Sequence, residues 1–210
     1  MTTSPKPDWM TPSGPPWRIR SEKPIYENDW IRVREMQTVA PTGADALYGV
    51  VGFKHLAIGI LPIHADGTIT LVGQHRFPCR DYSWEIPEGG VPVADDPLEG
   101  AKRELREEAG LEARVWRKVL DFQTSNSVTD ERGVGFVALG LTPVAAEPDP
   151  TEAIAVARVP FAEALERALS GDILDVITVA ILLRAYHMAA EGQFEAPLAA
   201  AMLGRTGEGR

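Results

Sequence analysis

The sequence has a single cysteine, few basic residues and no long apolar segment. Because Cys79 has no second cysteine to pair with, a disulfide framework is excluded and a reducing cytoplasm is the expected location. No apolar run reaches the length of a membrane span or a signal peptide, so we expect no membrane partner. The 21 Lys and Arg residues against 30 Asp and Glu give a net charge of −9, which argues against a nucleic-acid partner.

The remaining composition predicts one globular domain with less ordered ends. The chain has 210 residues, of which 44% are hydrophobic, so it can bury a substantial core. Residues 1–16 are rich in Pro, Ser and Thr, and we expect them to form a disordered N-terminal arm. Residues 196–210 end in GRTGEGR and are expected to form a flexible tail.

Hydrophobic periodicity predicts strands, then one helix, then strands and two further helices. Apolar and polar residues alternate within 17–40, and further strand patterns follow at 48–53, 56–61, 113–122 and 134–141. Asp66-Gly67, between two apolar runs, predicts a hairpin. Helices are predicted from residue 97, at 161–169 and at 173–187. This order is typical of an α+β fold, an α/β/α sandwich.

The helix that begins at Pro97 has clear start and stop signals. Asp95 or Asp96 can serve as its N-cap, and proline is tolerated at the first helical position. Gly110 suits the left-handed residue after the last turn. An apolar stripe at steps of three and four must face a core, and it consists of Leu98, Ala101, Leu105 and Ala109.

Three acidic residues lie close together on this helix. Glu104 and Glu108 share a face, and Glu107 lies one turn after Glu104. Such carboxylates repel one another unless a cation lies among them, and oxygen ligands suit a hard divalent ion. A backbone carbonyl from the expected Glu88–Gly89 loop would complete the site. The alternative is an ordinary solvated helix surface, on which runs of charged residues are common.

The spacing of these residues resembles the Nudix box, G-x5-E-x7-R-E-U-x-E-E-x-G-U, in which U is aliphatic. The matching positions are Gly89, Arg103, Glu104, Leu105, Glu107, Glu108, Gly110 and Leu111. One position departs, because Asp95 replaces the first glutamate of the pattern. In the family that acid supports the turn before the helix through the box arginine, here Arg103.

Two further segments resemble the ADP-ribose pyrophosphatase branch of this family. Residues 74–78, QHRFP, are similar to its Q-x-R-x-P signature, and residues 85–89, EIPEG, to its E-L-P-A-G signature. The resemblance implies the Nudix fold with a mixed sheet in a catalytic domain at 56–195. It also implies an N-terminal antiparallel β-region at 17–55, exchanged between the subunits of a homodimer.

The resemblance implies Mg²⁺-dependent hydrolysis of the diphosphate bond of a nucleoside diphosphate derivative, with Mn²⁺ as a substitute ion. ADP-ribose, giving AMP and ribose 5-phosphate, is the first candidate for this small-molecule substrate. A nucleotide-sugar diphosphatase acting on compounds such as GDP-mannose is an alternative. A non-catalytic Nudix module that binds or senses ligands is another, although such modules would be expected to lose a box carboxylate.

The resemblance also implies roles for individual residues. Two or three Mg²⁺ ions would be held by Glu88, Gly89, Glu104, Glu107 and Glu108, with Glu107 and Glu108 counted as catalytic. The general base would be a glutamate in a late loop, either Glu152 or Glu131.

Substrate contacts are expected from a further group of residues. Arg76 is a candidate ligand for substrate phosphate, because a guanidinium binds phosphate oxygens in a fork. Its alternative role is an ion pair with Glu85, which is also a candidate for substrate binding. Trp30 is the aromatic residue chosen to stack on a base, although packing in a core or interface remains open.

Overall fold

The computed structural model describes residues 6–146, 151 and 153–205, and the chain divides into two compact units. One unit comprises Met1–Lys54 with Ser127–Asp130, and the other comprises His55–Asn126 with Glu131–Arg210. Within the described ranges, no helix combines the length and apolar character needed to span a membrane.

The N-terminal unit is a three-stranded antiparallel sheet in the order β1-β2-β3. Its strands are β1 (Arg18–Glu27), β2 (Ile31–Val39) and β3 (Asp45–Phe53), preceded by a short 3₁₀ turn at Asp8–Met10. The 127–130 segment joins this sheet through Asp130, whose Oδ1 accepts the N–H of Phe53 at 2.8 Å. Antiparallel strands were predicted for this region, and the structure contains them.

The larger unit is built on a seven-stranded mixed sheet. Its central path runs β10-β5-β4-β9-β8, with β6 paired to β5 and β7 paired to β4. The pair β4–β9 is parallel and the other pairs are antiparallel. The strands are β4 (His55–Ile63), β5 (Thr68–Arg76), β6 (Asp81–Glu85), β7 (Glu88–Pro92), β8 (Leu111–Gln123), β9 (Arg132–Pro143) and β10 (Ala155–Pro160). The predicted Asp66-Gly67 hairpin joins β4 to β5.

Helices cover both faces of this sheet. They are α1 (Pro97–Ala109), α2 (Phe161–Ser170), α3 (Val176–Ala190) and α4 (Ala196–Met202). Successive residues of a strand point to opposite faces, so Ile58 and Ile60 of β4 pack with α1 while Leu61 and Ile63 pack with the other helices. The predicted α/β/α sandwich is confirmed.

Two glycines allow α3 to lie unusually close to the sheet. Gly59 and Gly135 are neighbours on the parallel strands β4 and β9. A Cβ at either glycine would lie 2.8 Å from Cδ1 of Ile181, so a side chain at either position would have to displace the Ile181 side chain of α3. This close packing against the sheet helps to position α3, whose N-cap is Asp175.

Three sequence expectations need correction. The segment 196–202, expected in a flexible tail, forms α4, because Ala199 and Met202 are buried in the core. The expected loop at 85–90 instead contributes the end of β6 and the start of β7, since both strands find partners in the sheet. The last helix of the pair begins at Val176 rather than at residue 173. Residues 206–210 lie outside the described residues.

Candidate active site

The acidic helix α1 forms as its sequence signals predict. Of the two candidate caps, Asp96 is the one used, and its Oδ1 accepts the N–H of Leu98 at 2.9 Å. Gly110 ends the helix in the left-handed conformation, with φ 60° and ψ 40°. Ala101 and Leu105 are fully buried against the sheet. The buried stripe therefore fixes which way the adjacent carboxylates point.

Two of the three box glutamates face strand β7. Glu104 is 8% exposed and Glu108 is 4% exposed, and the N–H of Glu88 donates to Oε2 of Glu108 at 2.8 Å. At Gly89, an added Cβ would lie only 2.2 Å from Cδ of Glu104, so the carboxyl group lies directly against this backbone. The structure thus places four of the expected metal-site residues next to one another. They are Glu88 and Gly89 of β7 and Glu104 and Glu108 of α1.

The third glutamate is less buried and is held by an arginine. Nη1 of Arg103 donates to Oε2 of Glu107 at 3.0 Å, and Nη2 donates to Oε1 of Glu104 at 2.7 Å. The Arg103 guanidinium therefore bridges the carboxylates of Glu104 and Glu107. The brace expected between Arg103 and Asp95 is absent among the described residues, because Arg103 is directed at the glutamates instead.

Arg76, at the end of β5, binds two glutamates. It donates to Glu85 through Nε and Nη2, with Nε 3.0 and 3.1 Å from the carboxylate oxygens, and Nη2 also donates to Oε1 of Glu88 at 2.7 Å. The ion pair with Glu85, which the sequence left as an alternative for Arg76, is therefore present. The Glu88 side chain joins it, although the sequence had assigned residue 88 only a carbonyl role.

These contacts shift the pKa values of Glu85 and Glu88 in opposite directions. Burial opposes the charge of Glu85, but hydrogen bonds from Arg76 and Ser83 and the Arg76 charge hold the pKa of Glu85 below its usual range. Burial raises the pKa of Glu88 well above its usual range, and the neighbouring charges of Asp175 and Glu85 raise it further. The charge of Arg76 opposes this rise but does not cancel it, so the environment disfavours the ionised form of Glu88.

Asp175 is the residue of the site that sequence reasoning missed. It caps α3, with Oδ2 accepting the N–H of Thr178 at 2.6 Å, and carboxylate oxygens of Glu85, Glu88 and Asp175 lie within 4.8 Å of one another. Burial raises the pKa of Asp175, and the charge of Glu85 adds to this effect. An aspartate before an apolar helical run is a cap signal, but the helix was predicted to start too early and enclosed this residue.

The oxygen-only donor set of the site fits a hard divalent cation. Carboxylates come from α1, β6, β7 and the start of α3, and the glycine at position 89 lets one of them lie against the backbone. Oε2 of Glu88 is buried and has no hydrogen-bond partner among the described residues. Such an atom is costly unless a cation or proton satisfies it.

A cavity of about 460 Å³ opens beside this cluster. Its walls include Arg76, Glu88 and Asp175 together with Tyr82 and Leu174. Leu174 is 77% exposed and Tyr82 is 41% exposed, so apolar surface adjoins the charged groups. A volume of this size is typical of small-molecule sites.

Three other predicted site residues, Glu131, Glu152 and Trp30, make none of the contacts described above. Glu131 precedes β9 and accepts a hydrogen bond from Thr124, and Trp30 lies in the N-terminal unit with 62% of its surface exposed. Glu152 lies outside the described residues. The catalytic roles of Glu131 and Glu152 and the stacking role of Trp30 stay predictions.

Comparisons with known proteins agree with this architecture. The NUDIX domain family model matches residues 53–177. ADP-ribose pyrophosphatase of Mycobacterium tuberculosis is 36% identical over 176 residues, covering 82% of this chain and 84% of that protein. CMP-5'-(N-acetyl-N-hydroxy-3-aminopropyl)phosphonate hydrolase of Streptomyces rubellomurinus is 28% identical, with coverages of 74% and 75%. A crystal structure of an ADP compounds hydrolase superposes with a TM-score of 0.77 at 20% identity, covering 88% of this chain and all of that one, which supports the fold.

Proposed function

Because the chain belongs to the Nudix hydrolase family, we propose that it hydrolyses ADP-ribose to AMP and ribose 5-phosphate. The observation that carries this proposal is the 36% identity to a mycobacterial ADP-ribose pyrophosphatase over 82% of the chain. The intact set of box carboxylates supports cleavage rather than binding alone. Water would attack one phosphorus, and the bridging oxygen would leave with the other phosphate.

Residues of α1 and β7 would hold the metal. We propose Mg²⁺, with Mn²⁺ as a substitute, bound by Glu104, Glu107 and Glu108 and by the backbone next to Gly89. When bound, the metal neutralises diphosphate charge and lowers the pKa of the attacking water. The hydrogen bond from Glu88 to Glu108 and the ion pairs of Arg103 support this role, because they hold the carboxylates at fixed positions.

Arg76 is suited to orient the diphosphate beside this site. Its Nε and Nη2 are occupied by Glu85 and Glu88, which fix the plane of the guanidinium. Its side chain is 33% exposed and lines the 460 Å³ cavity. We propose that Nη1 donates to a substrate phosphate oxygen and that Glu85 contributes to binding by positioning Arg76.

The proton acceptor for the attacking water is proposed to be Glu152 or Glu131. A general base contributes to rate without being required for metal binding. Glu152→Gln and Glu131→Gln should therefore differ, and only the base variant should lose turnover while keeping the affinity for Mg²⁺. The unaffected glutamate then serves as the matched control for the other.

The nucleotide-sugar alternative remains a question of what surrounds the diphosphate. The Nudix box acts only on the diphosphate. The CMP-linked phosphonate in the name of the Streptomyces relative differs from ADP-ribose in both the base and the second substituent. A panel of ADP-ribose, GDP-mannose, NADH, diadenosine polyphosphates and nucleoside triphosphates with Mg²⁺ separates these substrates. No turnover of any member would favour the non-catalytic module.

A homodimer with exchanged N-terminal regions is part of the same proposal. Strand β1 is exposed along its whole length, and its exposed apolar residues include Ile19, Ile25 and Tyr26. Covering this exposed apolar surface with a partner would be favourable, and a second copy of the chain is the proposed partner.

Because Cys79 is free and exposed, we also propose a reducing cytoplasm as the location.

The decisive experiment for the reaction replaces the box glutamates. Glu108→Gln keeps an oxygen that can accept the Glu88 N–H, so the fold should survive while turnover falls by at least about 100-fold. Glu107→Gln should give the same loss. Glu99→Gln is the matched control, because Glu99 lies on the same helix and pairs with the exposed Lys102 away from the acidic cluster of Glu104 and Glu108. Release of AMP is measured with Mg²⁺, and wild-type turnover in Glu107→Gln or Glu108→Gln would contradict the proposal.

A further inference from the structure

A second concave site lies at the other end of the sheet and is basic rather than acidic. It is a cleft of about 420 Å³ between the ends of β4, β8 and β9 and the start of α4. We call it the basic cleft, and its polar lining consists of His64, Arg114, Arg117 and Glu195. Two arginines against one glutamate give the cleft a positively charged lining, although the chain has a net charge of −9.

The basic cleft is remote from the diphosphate site. The backbone N–H of His64 donates to the carbonyl of Thr68 at 2.8 Å. Thr68 begins strand β5, and Arg76 ends the same strand. Eight residues of extended strand separate Thr68 from Arg76, which corresponds to about 26 Å. A ligand in the basic cleft therefore cannot be the diphosphate held near Arg76.

One arginine of the basic cleft is fixed in place. Nη1 of Arg117 donates to the carbonyl of Gln193 at 2.6 Å, and its guanidinium lies 5.5 Å from the ring centre of Phe194. These contacts use one edge and one face of the guanidinium. The remaining N–H groups of Arg117 are available to an anion in the cleft.

The other arginine, Arg114, has no polar partner among the described residues. Within the part of the chain that the structure describes, the side chain of Arg114 makes no hydrogen bond or ion pair, and Glu195 pairs with neither arginine. Arg114 lies over Gly140, where an added Cβ would be 3.3 Å from Arg114 Cβ and 3.5 Å from Nε. Gly140 has a φ of +68°, so this position both favours glycine and leaves room for the guanidinium.

We propose that the basic cleft binds the phosphate group of a small molecule. Two guanidiniums, one fixed and one free, provide the forked donors that phosphate oxygens accept. The cleft volume suits a small organic molecule rather than an extended polyanion. Its apolar walls, from Leu139, Leu141 and Leu198, can cover the carbon skeleton of a phosphate ester.

The test uses inorganic phosphate and ribose 5-phosphate as probes, with ribose as the uncharged control. Binding is measured by calorimetry and by amide chemical shifts on the full chain without divalent metal. Both phosphates should bind and shift the Gly140 resonance, while ribose should do neither. Tighter binding of ribose 5-phosphate assigns the site to phosphate esters, and equal affinity assigns it to free phosphate.

Matched arginine variants distinguish phosphate binding in the basic cleft from non-specific attraction to positive charge. Arg114→Gln should weaken phosphate binding by about tenfold or more, because it removes charged donors from the anion. Arg18→Gln, an exposed arginine in the other unit, should leave the affinity unchanged. Arg114→Lys should recover only part of the affinity, because lysine keeps the charge but not the fork.

Three outcomes would overturn the proposal. They are no saturable binding at millimolar phosphate, binding that shifts Gly89 but not Gly140, and equal affinity in Arg114→Gln and the wild type. Thermal unfolding of Arg114→Gln verifies that the fold is intact, as expected because no described residue forms a polar contact with this side chain. Because the probes are tested by binding rather than turnover, the result is independent of whether ADP-ribose is the substrate.

Discussion

Replacing Gly89 by alanine tests the close approach of β7 to the acidic helix. A Cβ at this position would lie 2.2 Å from Cδ of Glu104 and 2.5 Å from both of its carboxylate oxygens. Ordinary van der Waals contact begins at 3.4 Å, so the carboxyl group must move by roughly 1.2 Å. Glu104 is 8% exposed and accepts a hydrogen bond from Arg103, so it can move this far only by losing its position on the site.

A displacement of this size should affect catalysis far more than folding. A misplacement of about 1 Å can cost about 100-fold in rate, so kcat for ADP-ribose with Mg²⁺ should fall about 100-fold in Gly89→Ala. Overpacking should destabilise the fold by about 1–3 kcal/mol, measured by urea unfolding. AMP release is the activity assay.

The control is a glycine without a close neighbour. Gly49 lies in β3 and has no atom within 4 Å of the position of an added Cβ. Gly49→Ala should therefore keep wild-type kcat. If Gly89→Ala also kept wild-type kcat while folded, the placement of the Glu104 carboxylate would not matter for turnover, and the metal-site reasoning would be refuted.

Two further predictions concern stability. Thr178→Val should cost about 1–3 kcal/mol in urea unfolding, because the buried N–H of Ile86 loses its bond of 3.0 Å to Oγ1, whereas Thr178→Ser should restore it; equal stability of the two variants would contradict this. Burial, followed by the charge of Arg158, lowers the pKa of His64, so the folded state disfavours its protonation. The free energy of unfolding should therefore decline as the pH falls below about 6.5, and this decline should be smaller in His64→Gln but not in the exposed control His187→Gln.

The acidic helix could be predicted because its signals are local. A cap, a proline at the first position, an apolar stripe and a terminal glycine all lie within the segment that they define. The structure then decided only between Asp95 and Asp96 as the cap. The same locality explains why the hairpin at Asp66-Gly67 and the extent of α2 were predicted closely.

Strands β6 and β7 could not be predicted in this way, because their stability comes from distant partners. Residues 85–90 contain two glycines and a proline, which locally favour a loop. In the fold, Glu88 is paired with Gly59, and Trp84 is paired with Gly73 across the β5–β6 ladder. These pairings are not encoded within the segment, so tertiary contacts override local propensity.

Helix α4 shows the same limit at the C-terminal end. Its alanines give little pattern to distinguish it from a frayed tail. Its burial depends on Gly67, where an added Cβ would lie 2.6 Å from the backbone carbon of Ala201, and on the core around Met202. A turn about 130 residues earlier in the chain therefore provides the surface that orders this helix.

Glu88 links the acidic helix to Arg76, and this explains why a charged residue is accommodated at the start of strand β7. Its N–H holds Glu108, and its carboxylate accepts from Arg76, which also holds Glu85. The arginine supplies one positive charge to a cluster in which Asp175 adds a third carboxylate. The charge of the cluster is therefore balanced only with a further cation or with protons, and burial makes that balance energetically significant. Burial, followed by repulsion from Asp175 and Glu85, raises the pKa of Glu88. A divalent ion beside these carboxylates would offset both effects, so metal binding and the order of these side chains are expected to be coupled.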